Sequence, residues 1–472
     1  MNPINVKGTH DILFADAPYF EYVRSVFSAV ASTYGYGYIE PPTLEYTEVF
    51  LRSTGESSDI VRKEMYTFLD KGERSVTMRP EFTAGVIRSF VSNKLYATHD
   101  LPLKAFYFGP AYRYERPQLG RYRQFIQAGI EAVGVDSPYL DAEAVLLAVS
   151  VLGFLGFKGL KVKVNSLGGK ESRAAYREAL QAYFRDKIDE MCEDCHTRLE
   201  LNPMRILDCK VPHDQELAKG APSLAQYLTK EDEERFYKIL SFLNAMNVEY
   251  EVDHSLVRGL DYYGGLVFEV HGKTSKGEDL GALLGGGHYD GLLSAFGGPE
   301  DIDHGVGFAM GVERLIALLK DQGFSLPESD IDIYLMPLGE NALEAMAGLA
   351  QDLRVGGFKV DMPYKTGKVG SYFKKAEKKG AKIALIAGDD EIKNDTIQVK
   401  NLATQEQREV KMAELPATLD QLLPMEEEDH HCGCHGEGHH HHEGEECCHG
   451  EGHHHHEGEE CCCHHHEETK GE

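Results

Sequence analysis

The amino-acid sequence predicts an α+β protein in which an antiparallel sheet carries a helical insertion and is followed by a smaller α/β domain. Strand-and-turn patterns occupy residues 1–168 and return at 248–325, whereas helix-forming residues fill 169–247. Strands alternate with helices over 330–420, as in α/β domains. The last segment, 425–472, is almost devoid of apolar residues, so we expect it to be disordered.

The elements of the first part follow from hydrophobic periodicity. Residues 19–34 have helical spacing, and residues 35–50 combine glycines, a Pro-Pro step and aromatic residues, which predicts a turn, a strand and a break. Residues 75–91 are predicted to form a strand leading into a helix. Two strands joined by a basic loop are predicted for 104–134, and a short strand entering a helix for 305–320.

The insertion is predicted to contain helices at 171–190 and 231–246. A pattern typical of strands and turns then returns at 257–272. The glycine-rich segment 284–298 follows, and its pattern fits either ordinary turns or a backbone that approaches a ligand closely. From 331 to 414 the alternation of strands and helices indicates a mostly parallel sheet.

Composition limits the class of protein. The net charge is −28, but half of it lies after Pro424, where 15 acidic residues face one lysine. The body can therefore still present a basic surface to nucleic acid, which responds to local potential. No run of 18 apolar residues occurs, so no membrane span is expected, and the N-terminal residues lack a signal pattern, which favours a cytoplasmic location.

Arginines are concentrated in one predicted loop, together with a glutamate: Arg113, Glu115, Arg116, Arg121 and Arg123. The planar guanidinium fork matches phosphate oxygens, so the loop predicts contact with a triphosphate or a nucleic-acid backbone. A solvated charged hairpin accounts for the same residues equally well. Arg258, before LDYYGG, and Arg314, in GVERL, would each alone be ordinary structural arginines. Neither a P-loop nor a dinucleotide fingerprint is present.

Taken in order, these segments resemble the class II aminoacyl-tRNA synthetases, and among them the histidyl-tRNA synthetase family. The resemblance covers about residues 5–420. Residues 35–50, 106–131 and 305–319 resemble motifs 1, 2 and 3, and LVRGLDYYGGLVFE (256–269) and GGGHYDGL (285–292) are similar to two histidine-specific signatures. The resemblance implies a class II antiparallel-sheet catalytic core, a C-terminal anticodon-binding domain and a homodimer.

The implied reaction has two steps. The α-carboxylate of histidine attacks the α-phosphate of ATP, which is accompanied by Mg²⁺, and gives histidyl-adenylate. The 3′-hydroxyl of histidine tRNA then accepts the histidyl group. By resemblance, Arg113 and Arg258 contact the α-phosphate, and Arg314 faces the γ-phosphate and adenine. The remaining residues of the implied ATP site are Glu115, Arg121, Arg123 and Phe125.

The resemblance also assigns a histidine site. Glu81, Thr83 and Gln127 match positions that hold the amino and carboxylate ends, close to Arg113 and Arg258. Glu131, Tyr262, Tyr263 and Tyr289 match the imidazole pocket, although tyrosines are often core residues instead. A ring with one donor and one acceptor is distinguished by buried polar partners, which an apolar analogue would leave unpaired.

For tRNA, Arg116 and Gln118 match the motif 2 loop that reads the acceptor end. In the C-terminal domain a lysine cluster is suited to phosphate contacts, or is simply a solvated face: Lys374, Lys375, Lys378, Lys379 and Lys382.

Three positions depart from the family pattern: His288 replaces a usual arginine, Ile126 replaces a common histidine, and Gly264–Gly265 replace bulkier residues. These changes are expected to alter the local shape and charge of the pocket. The alternative function is that of a catalytically silent paralogue, a regulatory subunit of ATP phosphoribosyltransferase. Such proteins generally lack the anticodon domain and the full arginine set, both of which this sequence has.

The tail repeats HGEGHHHHEGEECC at 435–448 and 449–462. Imidazole and thiolate suit transition metals, so we expect the tail to bind Zn or Ni; a neutral repeat expansion and a purification tag are the alternatives. The candidate ligands are His439, His440, His441, His442, Cys447, Cys448, His453, His454, His455, His456, Cys461, Cys462 and Cys463.

A second candidate metal site lies in the insertion. Cys192, Cys195, Cys209 and His213 have a spacing that is plausible for zinc, and His196 could compete. Small buried residues of a helical insertion would give the same pattern.

Overall fold

The computed structural model describes residues 3–55, 58–117, 120–326 and 331–424. The chain divides into two compact units, Met1–Pro327 and Glu328–Glu472. The strands are β1 (Gly37–Tyr38), β2 (Leu44–Tyr46), β3 (Tyr66–Leu69), β4 (Ser75–Met78), β5 (Leu103–Tyr112), β6 (Gln124–Val133), β7 (Lys161–Ser166), β8 (Tyr250–Val252), β9 (Tyr263–Lys273), β10 (Asp279–Asp290), β11 (His304–Gly311), β12 (Ile333–Pro337), β13 (Val360–Asp361), β14 (Ile383–Ala387), β15 (Thr396–Asn401) and β16 (Gln407–Lys411).

The α-helices are α1 (Ala17–Thr33), α2 (Thr47–Thr54), α3 (Thr83–Ser92), α4 (Leu95–Thr98), α5 (Pro138–Phe154), α6 (Lys170–Arg185), α7 (Glu193–Leu201), α8 (Pro212–Ala218), α9 (Lys230–Ala245), α10 (Leu292–Ala295), α11 (Val312–Asp321), α12 (Glu340–Val355), α13 (Val369–Lys378), α14 (Asp389–Lys393) and α15 (Leu415–Leu422).

An eight-stranded sheet forms the centre of the first unit, in the order β1-β5-β6-β11-β10-β9-β7-β8. The six inner strands are antiparallel, which confirms the predicted sheet type. The two edge strands, β1 and β8, run parallel to their neighbours and make the sheet mixed. A separate three-stranded antiparallel sheet has the order β2-β4-β3.

Alternation along the strands gives this sheet two different faces. On β6, Ala128, Ile130 and Ala132 join the main hydrophobic core, which also contains apolar residues of α1, α5, α9 and α11. Gln127 and Glu131, at the alternate positions of the strand, point to the other face, because successive strand residues alternate. The helices thus cover one face and leave the other for a cavity.

Two local predictions in this unit are corrected. Residues 47–50, at the end of the segment predicted to form a turn, a strand and a break, begin helix α2. Gly285–Gly287, for which turns were one of the two interpretations, lie inside strand β10 and pair with both neighbouring strands. Glycine occupies these strand positions because neighbouring side-chain and backbone atoms fill the space where a Cβ atom would lie.

The predicted helical insertion contributes α6, α7 and α8 to a second core, around Tyr176, Leu180 and Phe184. The last helix of that stretch, α9, packs against α5 within the main core. The segment 169–247 therefore contributes residues to both cores.

The second unit contains a five-stranded sheet in the order β13-β12-β14-β15-β16. Three strands are parallel, as expected from the strand–helix alternation, but β14, β15 and β16 are joined by antiparallel pairing. The prediction of a mostly parallel sheet is therefore confirmed for β13, β12 and β14 and wrong for β15 and β16. Parallel neighbours need a crossover of about a dozen residues or more. β14 and β15 are joined only by residues 388–395, which include the short helix α14, and β15 and β16 by residues 402–406, so these pairs are antiparallel. Within the described residues, no helix has both the length and the apolar character needed to cross a membrane.

Candidate functional site

A cavity of about 810 Å³ opens on the sheet face that the main helices leave uncovered. It brings together most of the residues that the resemblance assigns to ATP and histidine: Glu81, Thr83, Arg113, Glu115, Arg121, Phe125, Gln127, Glu131, Arg258, Tyr262, Tyr263, Tyr289 and Arg314. These residues come from six separated segments of the chain. Their convergence in one cavity of ligand-binding size identifies the candidate site.

Glu131 lies at the buried end of this cavity, with 1% of its surface exposed. Its carboxylate accepts hydrogen bonds from the Thr83 hydroxyl at 2.6 Å and from the Tyr289 hydroxyl at 2.9 Å. Burial raises the pKa of Glu131 to about 8, and the hydrogen bonds from Thr83 and Tyr289 oppose that rise. The Glu131 side chain is thus fixed in place, and because its pKa is close to neutral pH, a bound ligand shifts it readily between its neutral and ionised forms.

Three tyrosines line this part of the cavity: Tyr262, Tyr263 and Tyr289. The ring of Tyr262 lies 4.6 Å from that of Tyr263 and 5.8 Å from that of Tyr289, measured between centroids. All three rings are buried. A planar, polar ring would meet aromatic walls here and a hydrogen-bonding carboxylate at the end.

A second buried carboxylate, Glu81, precedes α3. Its oxygens accept the backbone N–H groups of Thr83 at 2.6 Å and Ala84 at 3.0 Å. Burial raises the pKa of Glu81, and these N–H donors oppose the rise. Nearby, the Gln127 side-chain oxygen accepts the Phe82 N–H at 3.2 Å. A ligand ammonium group would find a preoriented acceptor at Glu81.

Arg258 is held on the opposite side of the cavity. Its Nη1 donates to Glu269 Oε1 at 2.5 Å, and its guanidinium carbon lies 5.6 Å from the Tyr263 ring centroid. Glu269 also contacts His271 Nε2 at 3.1 Å. Among the described residues, none offers a hydrogen-bond partner to the buried Nε of Arg258. The arginine is thus charged and oriented.

Glycines in the strands make room for these side chains. A Cβ built at Gly285 would overlap the Arg258 guanidinium, and one at Gly307 would overlap the Glu131 carboxylate. Close approach of backbone and side chain explains why glycines, which weaken strands, occupy the middle of this sheet.

The basic loop supplies the outer wall. Arg113 donates through Nε to the Pro80 carbonyl at 2.8 Å and lies over the Phe125 ring, 5.3 Å from its centroid. Glu115 lies 3.8 Å from both Arg113 and Arg121. Arg314, in the first turn of α11, also lines the cavity. Several guanidinium groups therefore face one space, which suits a polyphosphate.

Two described residues of this loop, Arg116 and Arg123, are not brought to the cavity. Arg123 donates to the Glu115 and Lys7 carbonyls and stacks on Tyr114, 3.7 Å from the ring centroid, so it holds the loop together instead of facing ATP. Arg116 is not among the cavity-lining residues. Gln118 lies outside the described residues.

Sequence reasoning missed a group of charged residues at the rim. Asp59 accepts hydrogen bonds from Arg198 at 3.1 Å and Arg205 at 3.0 Å, and Asp59 and Arg205 both line the cavity. Glu64 and Glu269 line it as well. Their positions depend on contacts between distant segments, and only Glu269 stood within a recognisable motif.

His288, one of the departures, lies on the helix side of β10 and does not line the cavity. Its ring nitrogens contact Asp141 at 2.8 Å and Asp290 at 3.0 Å. Burial alone would lower the pKa of His288, but Asp141 and Asp290 reverse this and raise it to about 10. The protonated ring thus occupies a site that would accept a cationic arginine equally well.

The other departures also leave the pocket intact. Ile126 packs against the main core, while its N–H donates to Glu313 at 2.8 Å. A side chain at Gly264 would crowd Arg173, whose Nη1 donates to the Tyr263 carbonyl at 2.6 Å. Gly265 has a positive φ of 62°, which side chains rarely adopt.

The insertion cysteines lie apart from these residues. Cys192, Cys195, Cys209 and Asp214 lie close together, whereas His213 does not join them. The exposed His213 ring instead lies 3.9 Å from Glu190. The ligand set predicted from the sequence is therefore corrected at its fourth position. The tail ligands proposed after Pro424 lie outside the described residues.

Comparison with known proteins agrees with this geometry. The family model "Histidyl-tRNA synthetase" matches residues 8–315, and the model "Anticodon binding domain" matches residues 332–422. The chain is 46% identical over 410 residues to a histidine–tRNA ligase of Anoxybacillus flavithermus, covering 86% of this chain and 96% of the relative. It is 44% identical over 425 residues to one of Geobacillus kaustophilus, covering 89% and 99%.

Solved structures give a similar result. Apo histidyl-tRNA synthetase of S. aureus is similar with a TM-score of 0.76 and 34% identity, over 89% of this chain and all of that one. A Bacillus halodurans structure, titled as an ATP phosphoribosyltransferase regulatory subunit/histidyl-tRNA synthetase, has a TM-score of 0.59 and 23% identity over 82% of this chain and 99% of that one. At that identity the likeness concerns the fold alone.

Proposed function

Because the chain belongs to the histidyl-tRNA synthetase family and is thus a histidine–tRNA ligase, we propose that it works in two steps through histidyl-adenylate formed from ATP. One observation carries the proposal. A buried carboxylate between hydroxyl groups, at Glu131, and a set of guanidinium groups, at Arg113 and Arg258, line the same cavity.

Histidine would bind with its ring toward Glu131 and Tyr289 and its ammonium group toward Glu81. This orientation leaves the α-carboxylate on the side of Arg113 and Arg258. A free α-carboxyl group has a pKa of roughly 3.5, so the nucleophile is already ionised near neutral pH. No protein group needs to remove a proton in this step, and positioning is the main requirement.

ATP would place its α-phosphate between Arg113 and Arg258, with Arg121 and Arg314 toward the leaving pyrophosphate. As the carboxylate oxygen bonds to phosphorus, the bond to the pyrophosphate breaks and the guanidinium groups stabilise the developing charge. Mg²⁺ would accompany the phosphates, and the rim carboxylates Asp59, Glu64 and Glu115 are oxygen ligands of the type that it prefers.

In the second step, the 3′-hydroxyl of histidine tRNA would attack the carbonyl carbon of the adenylate, and AMP would leave. We propose Arg116 and Gln118 as contacts for the acceptor end. In the second unit, Lys379 pairs with Asp361 and Lys382 with Asp332 at 2.9 Å. The exposed Lys374, Lys375 and Lys378 are therefore the better candidates for tRNA phosphates.

The purified chain should catalyse histidine-dependent exchange between pyrophosphate and ATP and should charge histidine tRNA. Glutamine in place of histidine is the control, because its amide cannot replace the ring at Glu131. The regulatory-subunit alternative predicts histidine binding without exchange. A folded sample that binds histidine, as seen by a thermal shift, and shows no exchange would support that alternative.

We further propose that two copies associate through the region of residues 35–50, which the resemblance to motif 1 supports, and that the enzyme acts in the cytoplasm, where tRNA is used. Sedimentation equilibrium would measure the association directly, and a monomer at micromolar concentration would contradict it.

For the tail, we propose binding of several Zn²⁺ or Ni²⁺ ions through its histidine and cysteine repeats, which their ligand chemistry supports. Binding should weaken below a pH of about 6, where imidazole takes up protons. Charging should be nearly unchanged in a chain ending at Pro424, because every residue assigned to chemistry precedes it.

Calorimetric metal titration of the full and shortened chains, with a charging assay on each, tests both statements. Equal metal uptake by the two chains would contradict metal binding by the tail. A severe loss of charging in the shortened chain would show that the tail takes part in catalysis.

A further inference from the structure

Three cysteines and one aspartate of the insertion converge at a point next to the cavity. Cys192 precedes α7, Cys195 lies in its first turn, Cys209 follows the 3₁₀ segment Pro203–Asp208, and Asp214 lies in α8. One ligand atom from each lies within 4.8 Å of all the others. Cys195, Cys209 and Asp214 are buried, and Cys192 is partly exposed.

The distances fit a tetrahedral metal ion. Cys192 Sγ and Cys209 Sγ are 3.8 Å apart, and Cys209 Sγ is 3.2 Å from Asp214 Oδ2. Zinc bonds of about 2.3 Å to sulfur and about 2.0 Å to oxygen give tetrahedral edges of about 3.8 Å and 3.5 Å. A disulfide would require about 2.05 Å between the sulfur atoms. The observed spacing excludes a disulfide and is compatible with four ligands around one ion. Without an ion, the Cys209 thiol donates to Asp214 Oδ2.

The surroundings support the same conclusion. The Cys192 N–H donates to Asp214 Oδ2 at 3.1 Å, and the Val211 N–H is directed at Cys209 Sγ at 3.5 Å. Backbone donors of this kind orient ligating groups and stabilise their negative charge. A buried carboxylate among three thiols is otherwise an expensive arrangement, since a buried charge requires a compensating partner.

We propose that Cys192, Cys195, Cys209 and Asp214 bind one Zn²⁺ as a closed structural site. Four protein ligands leave no open position, so the ion would stabilise structure without taking part in the reaction. This proposal goes beyond the charging reaction and does not depend on it.

The ion would fix one wall of the cavity. The segment between Cys195 and Cys209 carries Arg205 and Leu207, which line the cavity, and Lys210 immediately follows Cys209. Arg205 is 8% exposed and pairs with Asp59 across the rim. A metal that joins both ends of this segment would hold Arg205 in register with Asp59.

Thermal unfolding of the full, zinc-loaded chain, followed by near-UV circular dichroism of its tyrosines, provides the first test. Chelation with EDTA should lower Tm by at least about 5 °C, because an ion bound only by the folded state stabilises it. Cys209→Ser and Asp214→Asn should lower Tm and remove the response to EDTA. Cys447→Ser/Cys448→Ser, which changes only tail thiols, should keep the full response.

The second test needs no variant at the site and reads the insertion separately from the tail. Maleimide labelling of Cys192, quantified on its own peptide by mass spectrometry, should accelerate at least about tenfold on chelation, because metal ligation shields the thiolate. If Tm and the labelling rate of Cys192 are both unchanged by EDTA in zinc-loaded protein, the proposal is wrong. Neither readout uses charging, so failure of the proposed function would be recognised separately.

Discussion

Replacing Arg258 by alanine should lower the rate of histidine-dependent pyrophosphate exchange by about 100-fold or more, while the protein stays folded. The expectation rests on how the guanidinium is held. Glu269 anchors one nitrogen at 2.5 Å, Tyr263 packs beside it, and Gly285 leaves it space. Burial acts to lower the pKa of Arg258, but Tyr263 and Glu269 outweigh it and raise that pKa, so the side chain remains a cation.

The loss should appear mainly in turnover, because the charge is needed most when the α-phosphate gains negative character. Arg258→Lys keeps the charge but lacks the fork, so it should recover only part of the rate. The matched control is Arg52→Ala, which removes an exposed arginine paired with Glu48 outside the cavity. Near-normal exchange by Arg258→Ala would show that Arg258 is not at the reacting phosphate.

Glu131→Gln should raise the KM for histidine by about 100-fold or more and leave the KM for ATP nearly unchanged. The amide cannot accept hydrogen bonds from Thr83, Tyr289 and the imidazole as the carboxylate does. Tyr263→Phe should impair histidine use in the same selective way. As a control, Glu143→Gln changes another buried glutamate, which pairs with Lys104 at 2.6 Å and does not line the cavity.

The pH profile gives a second readout. Burial raises the pKa of Glu131 to about 8, so in the free enzyme this group is mostly protonated below that pH. The ionised carboxylate accepts an N–H from the ring more strongly than the neutral acid does. Thus kcat/KM for histidine should rise between a pH of about 6.5 and 8.5 and then level off, and this rise should vanish in Glu131→Gln. A variant that keeps both the KM and the pH profile would place Glu131 outside the pocket.

Much of the fold could be predicted because long strands and helices leave periodic patterns. The paired strands around Arg113 and the helix at Arg314 were evident from their apolar spacing. The bounds and partners of the short edge strands were not evident, because the two residues Gly37–Tyr38 and the three residues Tyr250–Val252 are too few to show a period. Their parallel pairing depends on neighbours far away in the sequence.

The site was predictable where side-chain type and motif position agree, as for Glu131 and Arg258. The prediction of site residues was wrong where it depended on the direction in which a side chain points. His213 and Asp214 are adjacent on α8, and neighbouring helical residues point about 100° apart, so spacing alone could not decide which one faces the cysteines. Arg121 and Arg123 pose the same problem in an irregular loop, where only the fold shows that Arg121 faces the cavity and Arg123 binds carbonyl groups.

The glycines of the central strands restrict the substitutions that the enzyme can tolerate. Any missense change at Gly285 or Gly307 adds at least one carbon atom, in the space held by Arg258 or Glu131. Even the smallest replacement, alanine, would displace a group that we assign to the reaction. Mutational tolerance at these positions should therefore match that of the charged residues they accommodate, although a glycine offers no side chain to a substrate. The glycines of the central strands therefore determine the shape of the site as strictly as the residues that contact the substrate.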